Sequence, residues 1–109
     1  MDMNDYQQSA LKTAAQREKK NELFHLVLGL VGETGEIAEK FKKWVRDDDS
    51  EEDKIDVEDL KKELGDVLWY VAVLADYFQI NLEAVAETNI QKLASRSQRN
   101  KLHGSGDNR

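Results

Sequence analysis

One stretch of sequence decides the fold of this 109-residue chain: Leu60-Lys-Lys-Glu-Leu-Gly-Asp-Val-Leu-Trp-Tyr-Val-Ala-Val-Leu-Ala-Asp-Tyr-Phe78. Its apolar residues recur at helical spacing, and from Val67 to Ala75 they cover every side of the predicted helix. The stripe at helical spacing consists of Leu60, Leu64, Val67, Val71 and Phe78. A helix that is apolar on all sides has to be buried among other helices. Because the chain also lacks proline and is rich in Leu, Ala, Glu, Lys and Gln, an all-α fold is predicted.

Two helices are predicted on the N-terminal side of this stretch. The first runs from about residue 5 to 19, with Asn4 as its N-cap and Gln7 at the reciprocal position of a capping box. The second runs from about residue 21 to 45, and one apolar stripe follows it at helical spacing. That stripe consists of Leu23, Leu26, Leu30, Ile37, Phe41 and Trp44.

The remaining sequence completes a small bundle. A strongly acidic loop, 46–54, leads into the quoted helix, which begins after the N-cap Asp56. Asn81 caps a fourth helix, and the tail from about residue 100 is irregular. We therefore expect a single domain over residues 1–109, built as an antiparallel bundle of about four helices.

The predicted bundle has more apolar surface than one chain of this size can bury. On the quoted helix Trp69 and Val73 lie opposite Leu64 and Val71, so no single face is the buried one. The second helix has a further apolar side, formed by Phe24, Leu28 and Val31. We therefore expect oligomerisation to complete the bundle, in a homodimer or a homotetramer.

Charge and composition exclude several classes of function. The net charge of −6 argues against a polymer nucleic-acid partner, since such proteins usually carry a basic surface. The absence of cysteine excludes disulfides and thiol chemistry. The longest apolar run, Val67 to Ala75, is too short to span a bilayer, and the polar start of the chain does not resemble a signal peptide. A cytoplasmic protein without a membrane partner is expected.

Two pairs of acids are the main clue to function: Glu33-Thr-Gly-Glu36 and Glu63-Leu-Gly-Asp66. Their i,i+3 spacing puts both carboxylates of each pair on one side of a helix. Both pairs lie within apolar stretches, where an ionised carboxylate is costly unless it is paired or binds a metal. Four such groups on two packed helices would form an oxygen-rich pocket suited to Mg²⁺ or Mn²⁺. This pattern points to metal-assisted phosphate chemistry.

Other interpretations of these residues remain open. The acids could lie on a solvated shoulder of each helix, with i,i+4 pairs such as Glu36–Lys40 and Glu39–Lys43. Interior helical glycines beside the acids could mark close approach of a ligand, or tight packing of two helices. These glycines are Gly29, Gly32, Gly35 and Gly65.

A second metal-binding pattern is weaker. Glu22-Leu-Phe-His25 has the Glu-x-x-His spacing of di-iron helical bundles, which need two copies of that motif. The sequence has no second copy. We therefore expect His25 to be an interior or pocket residue rather than a metal ligand.

The acid pairs and their surroundings resemble the MazG-like nucleoside triphosphate pyrophosphohydrolases, which belong to the all-α NTP pyrophosphatase superfamily. The signature of that family is an ExxE pair followed, after a variable gap, by ExxD. The C-terminal segment Asn89-Ile-Gln-Lys92-Leu-Ala-Ser-Arg96 is similar to the Asn-x-x-Lys-Leu-x-x-Arg segment of the family. The resemblance extends from Tyr6 to Arg96. Many relatives follow the arginine with Tyr-Pro, whereas this chain continues to Gly104-Ser-Gly-Asp107-Asn-Arg109.

This resemblance implies Mg²⁺-dependent hydrolysis of a nucleoside triphosphate, often a deoxynucleotide, to the monophosphate and pyrophosphate. Mn²⁺ is a possible substitute for Mg²⁺, and house-cleaning of the nucleotide pool is the implied role. Glu36, Glu63 and Asp66 would hold metal. Glu33 would bind metal or orient and deprotonate the attacking water, so Glu33 and Glu36 are the implied catalytic residues. The implied substrate-binding residues are Asn89, Lys92, Arg96, His25 and Asp107, with Lys92 and Arg96 on the β- and γ-phosphates.

Two alternatives without catalysis remain. One is a nucleotide-binding regulator that keeps the pocket without turnover. The other is a helical protein-interaction module whose acidic shoulder docks a basic partner. Release of pyrophosphate in the presence of Mg²⁺ distinguishes the enzyme from both.

Overall fold

The computed structural model describes residues 1–14 and 19–109, and in this part of the chain it is all-helical, as predicted. The described residues form four α-helices and one short 3₁₀-helix, Glu52–Lys54. The α-helices are α1 (Met3–Leu11), α2 (Lys19–Asp48), α3 (Val57–Tyr77) and α4 (Leu82–Gln98). α3 packs against each of the other three α-helices and is the centre of the fold. None of the described helices is both long enough and apolar enough to cross a bilayer.

The predicted caps of the last two helices are confirmed. The carboxylate of Asp56 accepts a hydrogen bond from the amide of Asp59 at 3.0 Å. The side chain of Asn81 accepts one from the amide of Ala84 at 2.8 Å. Each bond satisfies an amide that has no partner within its own helix.

The predicted start of α1 is wrong. Asp2 is the N-cap, and Asp2 and Asp5 form the capping box, since each side chain accepts from the other residue's amide. Asn4 lies inside the helix, where its side chain binds Glu83 of α4 through both its oxygen and its nitrogen. Asp and Asn are equally good cap residues, but the Gln7 side chain that a capping box on Asn4 would need is bonded to α3 and to the start of α4 instead. α1 ends at Leu11, and part of its predicted continuation lies outside the described residues.

Gln7 is buried and joins α1 to the turn between α3 and α4. Its side-chain nitrogen donates to the carbonyl oxygens of Ala72 and Ile80, each at 3.0 Å. Its side-chain oxygen accepts from the amide of Leu82 at 2.9 Å. A buried amide with this many partners fixes the position of the neighbouring helices. Gln7 is therefore a structural tie rather than part of a capping box.

The buried face of α3 differs from the predicted stripe. Leu64 and Phe78 are 52% and 56% exposed in the single chain, whereas Val73, placed on the other side, is 3% exposed. The core contains Ala10, Leu26, Ala72, Val73 and Leu82. Since the helix is apolar on all sides from Val67 to Ala75, the sequence pattern does not determine which side faces α1 and α2.

α2 and α3 approach closely at Gly29. A Cβ atom added at Gly29 would lie only 2.8 Å from the hydroxyl oxygen of Tyr70, and closer still to its ring. The ring of Tyr70 is in turn held edge-on by Trp69, with ring centroids 4.9 Å apart. Gly29 is therefore required by helix packing. A Cβ added at Gly32, Gly35 or Gly65 would meet no atom within 4 Å among residues 1–14 and 19–109.

The single chain leaves a large apolar surface uncovered. Phe24, Leu28 and Val31 on α2 are 57%, 68% and 65% exposed. The radius of gyration is 16.9 Å, compared with about 13 Å for a compact domain of this length. Both observations agree with the expectation of an oligomer, which stays a prediction.

Candidate functional site

Three of the four predicted metal ligands lie together between α2 and α3. Glu33 of α2 and Glu63 and Asp66 of α3 each offer a carboxylate oxygen, and these oxygens lie within 4.8 Å of one another. The two helices run antiparallel, so Gly29 meets Tyr70 while Lys40, farther along α2, meets Glu63. Glu33 falls between these two levels. We call Glu33, Glu63 and Asp66 the acid cluster.

The acid cluster accumulates negative charge. Burial raises the pKa of Glu33, and the charges of Asp66, Glu63 and Glu36 raise it further. Glu36 is exposed and is not one of the three acids that converge, but its charge acts on Glu33. Carboxylate oxygens are hard donors that suit Mg²⁺, Mn²⁺ or Ca²⁺, and a divalent cation would relieve the repulsion. The donor set therefore fits the predicted metal.

Two residues near the acid cluster were missed by the sequence analysis. The amino group of Lys40 pairs across the helix interface with Asp59 and, at 3.6 Å, with Glu63. The hydrogen bond to Asp59 is the main reason that the pKa of Lys40 is raised. Tyr6 of α1 lies on the other side: burial raises the pKa of its hydroxyl, and the charge of Asp66 adds to this. Neither contact is visible before the register between helices is known.

Lys40 connects the acid cluster to a pocket of about 230 Å³ between the end of α2 and the start of α3. Apolar side chains, including Phe41, Trp44 and Ile55, line it together with charged ones. The indole nitrogen of Trp44 donates to the carbonyl oxygen of Glu51 at 2.6 Å, which orients its ring. An aromatic pocket with polar groups at its rim is typical of a small-molecule site.

The predicted phosphate-binding residues form a second group. The amino group of Lys92 lies 3.1 Å from the carboxylate of Asp107. The guanidinium of Arg96 lies 3.4 Å from the same carboxylate and donates to the carbonyl oxygen of Asp107 at 2.7 Å. The structure thus joins Lys92, Arg96 and Asp107 to one another, and these contacts do not extend to the acid cluster. We call Lys92 and Arg96 the basic pair.

The last two predicted substrate-binding residues belong to neither group. Asn89 lines a shallow surface groove with Lys92, Val85 and Ile80. His25 is partly buried beside Tyr70, with ring centroids 6.0 Å apart. That position agrees with the expectation of an interior or pocket residue for His25.

Comparison with known proteins assigns the family. The model of the MazG nucleotide pyrophosphohydrolase domain matches residues 22–100, which include both acid pairs and the basic pair. The chain is also similar to "Gene 37 protein" of Mycobacterium phage L5, at 49% identity over 87 residues. The match covers 80% of this chain and 76% of the phage protein. No solved structure matches. Since the family model covers most of the chain and three of the four paired acids converge in the fold, this chain belongs to the MazG nucleotide pyrophosphohydrolase domain family.

Proposed function

We propose that this chain is a Mg²⁺-dependent nucleoside triphosphate pyrophosphohydrolase. It would hydrolyse a ribo- or deoxyribonucleoside triphosphate to the monophosphate and pyrophosphate, acting as a homo-oligomer in house-cleaning of the nucleotide pool. The observation that supports this most directly is the convergence of Glu33, Glu63 and Asp66 from two helices in a chain of the MazG family.

The proposed metal ligands are Glu36 and the three members of the acid cluster. A divalent cation bound there would neutralise phosphate oxygens and lower the pKa of a water molecule. Glu36 is not among the converging acids, yet its charge raises the pKa of Glu33. Glu36 is a neighbour of Glu33 on the surface of α2 at i,i+3 spacing, so another rotamer of its side chain would turn its carboxylate towards the same site.

Glu33 is the proposed general base. Glu33 is partly buried between α2 and α3, and its carboxylate lies beside those of Glu63 and Asp66, so it can reach a water molecule activated at the same site. Glu33 would take the proton as the water oxygen bonds to the α-phosphorus. The bond between that phosphorus and the α–β bridging oxygen breaks, and pyrophosphate leaves with the bonding electrons. Mn²⁺ could replace Mg²⁺ at the same carboxylates.

Two other regions would hold the substrate. Lys92 and Arg96 are suited to the β- and γ-phosphates, because charge-assisted bonds to phosphate are strong and arginine can bind two oxygens at once. Asn89 would hydrogen-bond the nucleotide. The pocket that contains Phe41 and Trp44 could receive the base, since planar rings stack on aromatic side chains.

The test is a screen of the common NTPs and dNTPs for pyrophosphate release, with Mg²⁺ and with a chelator. Hydrolysis in ¹⁸O-labelled water should put the label into the nucleoside monophosphate, which shows attack at the α-phosphorus. Glu63→Gln should abolish release. Glu58→Gln is the matched control, because Glu58 lies on the same helix but pairs with Lys61 at 3.9 Å. No release from any nucleotide, or equal rates in the two variants, would contradict the proposal.

A further inference from the structure

The segment 100–109 is folded into a closed loop against the end of α4. The guanidinium of Arg109 donates to the carbonyl oxygens of Lys101, Leu102 and Gly106 at 3.1, 2.9 and 2.7 Å. Arg99 donates to the carbonyl oxygen of Arg109 at 2.6 Å. We call residues 100–109 the tail loop. The bonds from Arg109 close the tail loop on itself, so it can move as one unit, and the bond from Arg99 tethers it to the end of α4.

The tail loop is docked on α4 by the basic pair. Its Asp107 carboxylate contacts both Lys92 and Arg96, and Arg96 also donates to the carbonyl oxygens of Gly106 and Asp107. Arg96 is only 4% exposed, whereas the Asp107 side chain is 83% exposed. The carboxylate of Asp107 therefore contacts the basic pair from the solvent side. A soluble anion could approach from that side once Asp107 has left.

The basic pair has hydrogen-bonding capacity that Asp107 does not use. The Nε atom of Arg96 is buried and has no partner among the described residues. An arginine fork can donate through Nε and one terminal nitrogen to two oxygens of a single anion. A phosphate group offers three oxygens, whereas the contacts that Asp107 makes leave the Nε–H unsatisfied. Phosphate is thus a better match to the basic pair than the carboxylate that now contacts it.

The connection to the tail loop permits this exchange. Asn100 has a left-handed φ of 58°, and Gly104 and Gly106 have φ of 132° and 85°. Positive φ angles at glycine cost little, so the loop can change its backbone path at two points on either side of Ser105. One of these points directly precedes Asp107.

We propose that Asp107 is a built-in anionic competitor for the basic pair, and that the tail loop has to leave Lys92 and Arg96 before a polyphosphate can bind them. This rests on the proposed function, in which the basic pair holds the β- and γ-phosphates. The apparent dissociation constant is then the intrinsic one divided by the fraction of molecules in which the tail loop is undocked. Every phosphate ligand that uses the basic pair is weakened by the same factor.

The test measures binding of inorganic triphosphate and of pyrophosphate by calorimetry, in the presence of a chelator, so that no turnover enters. Asp107→Asn should lower both dissociation constants by the same factor, about two- to fivefold for an exposed ion pair. Asp53→Asn is the control, since it removes an equal charge from an exposed residue elsewhere. A variant lacking residues 102–109 should bind at least as tightly as Asp107→Asn.

The outcomes separate this proposal from the proposed function. If Asp107→Asn binds triphosphate and pyrophosphate no more tightly than wild type, Asp107 is not a competitor. Weaker binding would show that Asp107 supports the site instead. Equal binding by wild type and Arg96→Ala, or no binding to any variant, overturns the competitor too. If Asp107→Asn binds more tightly while wild type releases no pyrophosphate from any nucleotide, the competitor stands and the proposed enzymatic function fails.

Discussion

Alanine substitutions at the helical glycines test two different reasons for a glycine in a helix. Gly29 lies where α2 meets Tyr70, and an added Cβ would overlap that side chain. Gly32 and Gly65 lie beside the acid pairs, and an added Cβ there would meet no atom of the described residues within 4 Å. The same chemical change should therefore shift the free energy of unfolding in opposite directions at the two kinds of position.

The magnitudes follow from packing and from helix propensity. At Gly29 the added methyl group displaces a ring held by Trp69, and overpacking of this kind costs about 1–3 kcal/mol. Alanine returns about 0.5–1 kcal/mol through its better helix propensity. Gly29→Ala should then destabilise the protein by about 1 kcal/mol. Gly32→Ala and Gly65→Ala should each stabilise it by about 0.5–1 kcal/mol.

Urea unfolding of all variants at one protein concentration measures these differences, because association would make stability depend on concentration. A double-mutant cycle isolates the clash: in a Tyr70→Leu background, Gly29→Ala should no longer destabilise. Equal destabilisation by Gly29→Ala in both backgrounds would refute the packing argument. Loss of pyrophosphate release in a stabilised Gly32→Ala or Gly65→Ala variant would indicate that a ligand approaches that backbone.

Three further predictions concern the site and the assembly. Glu36→Gln or Asp66→Asn should abolish turnover with the circular dichroism spectrum unchanged, and near-normal activity at saturating Mg²⁺ would exclude the proposed ligands. Arg96→Ala should raise KM for the triphosphate about tenfold or more, since a charge-assisted contact is lost; an unchanged KM in steady-state kinetics would place the phosphates elsewhere. Sedimentation should show a homo-oligomer, and a folded monomer of 12.5 kDa at low micromolar concentration would contradict it.

A last prediction concerns the pH dependence of docking of the tail loop, which follows from the pKa of Asp107. Hydrogen bonds from Lys92, and then from Arg96, lower the pKa of Asp107. A carboxyl whose folded pKa is depressed stabilises the docked state above its unfolded pKa, and this contribution is lost as the pH falls through the folded value. The contribution of Asp107 to docking should therefore be fully present at neutral pH and be lost only in acid. An NMR titration of Asp107 with a midpoint no lower than that of an exposed aspartate would contradict this.

Local signals in the sequence were sufficient for some elements and ambiguous for others. Asp56 and Asn81 each stand alone before an apolar stripe, so their capping roles could be predicted. At α1 Asp2 and Asn4 are both plausible caps, and the choice depends on the tertiary hydrogen bonds that occupy Gln7. The buried side of α3 could not be predicted, because nine consecutive apolar residues fit any orientation and only the position of α1 and α2 selects one.

In the candidate site, too, some features could be predicted from the sequence and others could not. The acid pairs were predictable because burying an ionised carboxylate costs free energy unless it is paired or binds a metal. Three of the four acids converge in the structure. The ion pair of Lys40 with Glu63 could not be predicted. Lys40 is also four residues after Glu36, and the sequence fits either partner equally well. Docking of Asp107 on the basic pair depends on a turn at Asn100 that polar tail residues do not specify.

The uncovered apolar surface of α2 lies on the side of the helix away from the acid cluster. Projected at about 100° per residue, Phe24, Leu28, Val31 and Gly35 fall within roughly 60° of one another, and Glu33 lies nearly opposite them. A second copy could therefore cover these residues without closing the space in front of Glu33. Such an interface would also explain the glycine at position 35. In the described part of the single chain a Cβ at Gly35 would meet no atom within 4 Å, whereas a facing helix could approach its bare backbone. Association through this side of α2 would keep the acid cluster open to a nucleotide and bury the side chains that one chain leaves exposed.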